Sequence, residues 1–199
     1  MKNNQIRSLT MMAMYIALFF VFDWMSNTVG FFKMPNGGSL GIGVIPLLLC
    51  SYHLGWKKGV MVCLICVLMM FMTGRVYVVQ NSDGFAPWQI ALQYLMEYPL
   101  AFGVYGLASL FPNFGVFYLG VAVTNLIRLA LHVVAGTIFW ATPWWGSFTY
   151  NAWYMIPTMI LCLAVIPVVH SRLKQLIPNS RSISAASVLR LFLFHIHFL

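Results

Sequence analysis

Six apolar runs, separated by short breaks rich in proline, glycine, asparagine and charge, set the plan of the chain. The first predicts a helix over 8–26, followed by a loop from Asn27 to Leu40 that holds Lys33, Pro35, Asn36, Gly37 and Gly38. Helices 2 and 3 are predicted over 41–55 and 60–74, joined by the polar turn Trp56-Lys57-Lys58-Gly59. Arg75 to Pro87 carries Gln80, Asn81, Ser82, Asp83 and Gly84 and reads as an exposed loop, with the stretch between Tyr77 and Trp88 a candidate lid. Helix 4 is predicted over 88–111, and Phe111-Pro112-Asn113-Phe114-Gly115 supplies turn residues. Helix 5 follows over 116–140, then an aromatic loop from Ala141 to Ser147, then helix 6 over 149–170. A span needs about 20 apolar residues, somewhat fewer with interfacial anchors. The expected fold is therefore all-α and integral to the membrane, with six transmembrane helices in one unit over 1–176. The remainder, 177–199, is a basic C-terminal tail, disordered or interfacial, whose apolar run Val188 to Phe194 is too short to span.

Composition agrees. The 199 residues are 61% hydrophobic and 7% charged, against roughly 25% charged for a soluble domain. The formal charge of +8 follows from topology and does not imply nucleic acid, because cytoplasmic flanks of membrane helices collect Lys and Arg. With both termini in the cytoplasm, Lys2, Arg7, Lys57, Lys58, Arg172, Lys174, Arg181 and Arg190 lie inside, and only Lys33 and Arg75 lie outside. That asymmetry sets the expected orientation of a multi-pass cell-membrane protein. Lys2 and Arg7 precede the apolar run Met11 to Trp24, but no small-x-small cleavage site follows it, so this run reads as a retained helix. Cys50, Cys63, Cys66 and Cys162 all fall in apolar runs, and the Cys63-x-x-Cys66 pair has no second Cys or His cluster beside it, so no metal or redox role is expected.

The costly residue is Glu97, the one glutamate in the chain, placed well inside an apolar run. A carboxylate there costs several kcal/mol unless it faces a partner or a wet cavity. Counting from the outer end of helix 4 near Trp88, Glu97 lies about 13 Å deep at 1.5 Å per residue. On helix 5, His132 lies about 12 Å below the outer end near Trp140 by the same rise. Tyr150, Asn151 and Tyr154 start helix 6 at the outer mouth, and Tyr77 follows helix 3 there. Gln93 and Glu97 share a face, as do Arg128, His132, Gly136 and Trp140 at four-residue spacing. Gly136 is expected to leave room for a close backbone or ligand approach. A carboxylate among aromatic faces suits an organic cation. Two plainer readings stand beside this one: Glu97 pairs with Arg128 as a structural ion pair, and Trp144 and Trp145 are bilayer anchors. Asp23, at the outer end of helix 1, is expected to be hydrated.

Catalytic signatures are missing: there is no phosphate-binding glycine loop, no HExxH, no GxSxG and no nucleophile–base pair. No enzyme activity and no cofactor are expected.

Several short motifs, taken in order, carry a resemblance. They are Arg7-x-Leu9-Thr10-x-x-Ala13-x-x-x-Ala17, Met34-Pro35-x-Gly37-Gly38-Ser39, Ile45-Pro46, Gly55-Trp56-Lys57-Lys58-Gly59, Thr73-Gly74-x-x-Tyr77, Leu95-x-Glu97-Tyr98, His132-x-x-x-Gly136-x-x-x-Trp140 and Gly146-x-x-x-Tyr150. Over about residues 7–175 the chain resembles the substrate-binding S components of energy-coupling factor transporters, and among them the thiamine-specific family. The resemblance implies that Glu97 pairs with the pyrimidine of the vitamin, and that Tyr98, His132, Trp140, Tyr150 and Tyr77 complete the pocket; Gly136 and Asn151, placed nearby by spacing, are added as candidates. It implies that Ala13 and Ala17 form a small-residue face against a coupling transmembrane subunit, where small side chains allow close helix approach. Two cytoplasmic ATP-binding subunits complete the implied assembly, in which the loaded S component topples in the membrane and ATP hydrolysis resets it. Some thiamine-binding members carry a Trp and a Glu before helix 2 where this chain has Gly37 and Gly41, and a helix-6 Asn where it has Met155. The alternatives are an S component for another vitamin or a thiamine precursor, a stand-alone proton-coupled carrier using Glu97 and His132, and a structural membrane protein in which Glu97 and Arg128 merely pair.

Overall fold

The computed structural model describes residues 2–29, 33 and 39–176; the tail 177–199 lies outside them. Helix α1 runs Lys2–Thr28, α2 Val44–Leu54 and α3 Trp56–Met72. A fourth rod follows, built from α4 (Pro87–Leu95), a π turn (Met96–Leu100), α5 (Ala101–Gly103) and a 3-10 stretch (Val104–Leu110). A small antiparallel hairpin, β1 (Asn113–Phe114) and β2 (Phe117–Tyr118), leads into α6 (Leu119–Phe139), and α7 (Trp144–Leu176) closes the order. The described part is thus mostly helical, and this hairpin takes the place of the expected first turn of helix 5. Gly115, at φ +61°, makes the hairpin turn.

Helix α2 is the centre. Val44 through His53 are all buried, as expected for a helix that is apolar on every side. It packs against α1, α3, the 3-10 stretch and α7, with Leu47, Leu48 and Cys50 fully enclosed. Glycines allow the closest crossings. A Cβ on Gly59 would lie 2.9 Å from the Gly106 carbonyl oxygen, and one on Gly120 would overlap the Ala108 carbonyl. The outward faces are apolar instead: Leu9, Met14, Leu18, Leu64, Leu68, Leu126, Ile138, Ile160 and Val168 are exposed. A collar of this kind marks a lipid-facing surface. Three helices, Gln5–Thr28, Leu119–Phe139 and Trp144–Lys174, are each long and apolar enough to cross a membrane.

Two boundaries differ from the sequence expectation for one reason. Trp56-Lys57-Lys58-Gly59 is not a turn but the first turn of α3; Gly55 alone breaks the chain, at φ +87°. Likewise α7 begins at Trp144, directly after Pro143, so the aromatic loop shrinks to Trp140 through Pro143. A proline or one left-handed residue suffices to separate helices. The four cysteines are free and buried in the core.

Candidate functional site

The site is built where the fourth rod departs from α-helical geometry. Pro87 occupies the first position of α4, where its missing N–H costs nothing. The Gln89 side chain reaches back to accept the Ala86 N–H at 2.8 Å. Ten residues on, Pro99 can neither donate to the helix nor fit its ring against the preceding turn. The helix widens into the π turn Met96–Leu100, a distortion frequent at functional sites. Glu97 and Tyr98 sit inside that turn.

Glu97 is buried, at 8% exposure. Its Oε1 accepts the Trp140 Nε1–H at 2.9 Å, and its Oε2 accepts the Gln93 amide N–H. The Tyr98 hydroxyl accepts the Tyr77 backbone N–H at 2.6 Å and meets the Tyr77 carbonyl at 3.3 Å, while its ring stacks on Tyr94 with centroids 5.7 Å apart. Trp140 reaches Glu97 because α6 ends there: Ala141 turns back at φ +48°, and the Thr142 N–H closes on the Gly136 carbonyl at 3.2 Å.

From α7, Asn151 donates to the Ser147 carbonyl at 2.9 Å and accepts the Tyr154 hydroxyl at 2.8 Å. Tyr150 is half exposed and meets the Tyr154 ring edge-on at 5.9 Å. The space expected over Gly136 is taken by protein: a Cβ there would overlap Ser147 Oγ, so the glycine serves the close approach of α7 to α6.

Two cavities meet at this point. One, of about 500 Å³, is lined by Glu97, Tyr98, Arg128, His132, Tyr150 and Tyr154, and extends to Asp23, Asn27, Ser39 and Arg75. The other, of about 530 Å³, is lined by Glu97, His132, Gly136, Trp140, Ser147, Tyr150 and Asn151. Tyr77, Glu97, His132, Tyr150 and Tyr154 belong to both. All eight residues singled out as pocket candidates from the sequence therefore line one cavity or the other. Ala13 and Ala17 lie elsewhere, exposed on α1.

The ion pair considered between Glu97 and Arg128 is not formed. Arg128 donates to the Tyr105 hydroxyl at 3.3 Å and lies over the Phe102 ring at 4.4 Å. Among the described residues the one ion pair joins Arg75 to Asp23, so Asp23 is paired rather than simply hydrated. The Arg128 Nε and His132 Nε2 are buried without a hydrogen-bond partner. Buried polar atoms without a partner are uncommon in native structures, and both of these belong to residues that line the first cavity. The Asp23–Arg75 wall was not foreseen from the sequence, because its residues come from two chain segments 52 positions apart that only the packing of α1 beside the end of α3 brings together.

Comparison with known proteins identifies the family of the chain. The chain is 29% identical over 186 residues to the thiamine transporter ThiT of Bacillus subtilis (strain 168), covering 83% of this chain and 91% of that one. Its fold is similar to that of ThiT from Listeria monocytogenes, with a TM-score of 0.57 at 19% identity over 85% of this chain and 96% of that one. The profile of the thiamine transporter protein family (Thia_YuaJ) matches residues 9–178, nearly the whole chain, and the chain belongs to that family of membrane transport proteins.

Proposed function

We propose that the chain binds thiamine at the junction of the two cavities and carries it inward as the S component of an energy-coupling factor importer. One observation carries this reading. Glu97, the sole glutamate, faces the junction with two neutral donors on it and no cation. A carboxylate offers about four acceptor positions, so two remain for an incoming donor such as the amino group of an aminopyrimidine. The aromatic faces of Tyr98, Trp140 and Tyr150 suit the flat, cationic thiazolium, and each cavity falls in the usual size range for a small-molecule site, roughly 300–1,000 Å³.

In this reading six segments span the plasma membrane with both termini in the cytoplasm: α1, α2, α3, the rod Pro87–Leu110, α6 and α7. The junction then opens outward. The exposed face of α1 with Ala13 and Ala17 docks a coupling transmembrane subunit, which joins two ATP-binding subunits. Proteoliposomes test the arrangement. Thiamine uptake is expected when the chain is reconstituted with the coupling subunit, ATP-binding subunits and ATP, and not with the chain alone. Uptake by the chain alone along a proton gradient overturns the S-component reading in favour of a stand-alone carrier. A competition panel of thiamine against hydroxymethylpyrimidine tests the ligand: tighter binding of the precursor reassigns it.

A further inference from the structure

We propose that Gln93 is a positioning residue of this site, holding the Glu97 carboxylate and the outer segment at Tyr77 in one arrangement. The inference rests on the thiamine-binding reading and adds a residue that touches no ligand in it. Gln93 lies one turn before Glu97 on the same face of the rod and is completely buried. Its amide nitrogen donates to Glu97 Oε2 and, at 3.1 Å, to the Tyr77 carbonyl. Both neighbours are acceptors, so the orientation of the amide is fixed: both N–H bonds are used, and the Gln93 Oε1 is left without a partner. A buried, unpartnered oxygen is a cost that this arrangement bears in order to keep both donors pointed at their acceptors.

The consequence is a three-part link. Tyr77 is bound through its backbone by Gln93 and by the Tyr98 hydroxyl, and Glu97 is bound by Gln93 and Trp140. One carboxylate oxygen is thereby assigned to Gln93 and the other to Trp140. The lone pairs left on Glu97 point in a set direction, and the segment that follows α3 is tied to the same amide. Among uncharged side chains of that length only Gln supplies two N–H donors from one nitrogen; Glu offers acceptors, and Met offers neither.

The experiment uses the full-length chain purified in detergent and thiamine titration followed by Trp fluorescence. Gln93→Met keeps the side-chain length and removes the donors; it is expected to weaken thiamine binding about tenfold. Gln93→Glu, which sets a carboxylate against Glu97 and the Tyr77 carbonyl, is expected to weaken it further. In a Glu97→Gln background the Gln93→Met step is expected to change affinity by less than about threefold, because its target has already been altered. If both single variants bind within about twofold of the unaltered chain, the proposal is overturned. It is also overturned if Gln93→Met has the same effect in both backgrounds, which marks a packing role without connection to Glu97. Absence of thiamine binding by the unaltered chain overturns the ligand reading itself and this inference with it, an outcome distinct from either of the others.

Discussion

The close approach of α7 to α6 at the site allows a quantitative test. A Cβ on Gly136 would overlap Ser147 Oγ and lie 3.2 Å from Ser147 Cβ. Ser147 is buried, and its hydroxyl donates to the Val133 carbonyl at 2.9 Å. Gly136→Ala must therefore displace that hydroxyl. Overpacking of this kind costs about 1–3 kcal/mol, and loss of the hydrogen bond adds about 1 kcal/mol. The sum is about 2–4 kcal/mol. For a chain of this length that lowers Tm by roughly 5–15 °C. The four cysteines, each fully buried, supply the assay: a thiol-reactive dye reports unfolding as they become accessible. Adding Ser147→Ala removes the overlapping oxygen and leaves a contact that small shifts relieve, so the double variant is expected to recover part of the loss. The coupling between the two positions should be about 1–2 kcal/mol. A Gly136→Ala variant that melts within a degree or so of the unaltered chain, or a double variant less stable than both singles, refutes this packing.

Other contacts give further expectations. Gly120→Ala drives a methyl into the Ala108 carbonyl and against the Tyr52 hydroxyl; since backbone cannot swing aside, the cost is about 3 kcal/mol, read as a fall in Tm larger than that of an exposed control such as Ala130→Gly. Tyr15→Phe strips the 2.8 Å bond from His53 Nδ1 and leaves a buried nitrogen unpaired, costing about 1–3 kcal/mol in the same assay. Asp23→Asn breaks the pair with Arg75, whose side chain is 31% exposed; an ion pair that solvent reaches contributes about 1 kcal/mol or less, so Tm is expected to move by only a few degrees.

Helical spacing and charge bias are the signals in the sequence that gather the candidate residues at one level of the fold. Arg128, His132 and Gly136 fall on one stripe of α6 at intervals of four, with Trp140 just past its end, and counting from the expected helix ends puts Glu97 level with His132. The structure brings both to the wall shared by the two cavities. Pairing was harder to read. Arg128 was a plausible counterion for Glu97 on charge alone, yet it packs over Phe102 and bonds Tyr105, neutral partners whose suitability depends on how two helices cross. At Gly136, where a close backbone or ligand approach is expected, the group in contact is the Ser147 side chain of α7. The π turn at Pro99 left no periodic signal, since the apolar run continues through it. Breaks between helices were overestimated: Lys57 and Lys58 looked like a turn because they are polar, whereas Gly55 alone makes the break. Polar residues at a helix start and in a loop look alike until the backbone is seen.

The central claim is that Glu97 is the anchor of a thiamine site. Titration of the purified chain with thiamine, read through Trp fluorescence and repeated on Glu97→Gln, tests it most directly, because Trp140 is hydrogen-bonded to that carboxylate. The account predicts a saturable change with a Kd at or below the micromolar range for the unaltered chain, and binding weaker by at least about tenfold, or about 1.4 kcal/mol, for the variant. No saturable response up to millimolar thiamine, or equal affinity in the two proteins, contradicts it.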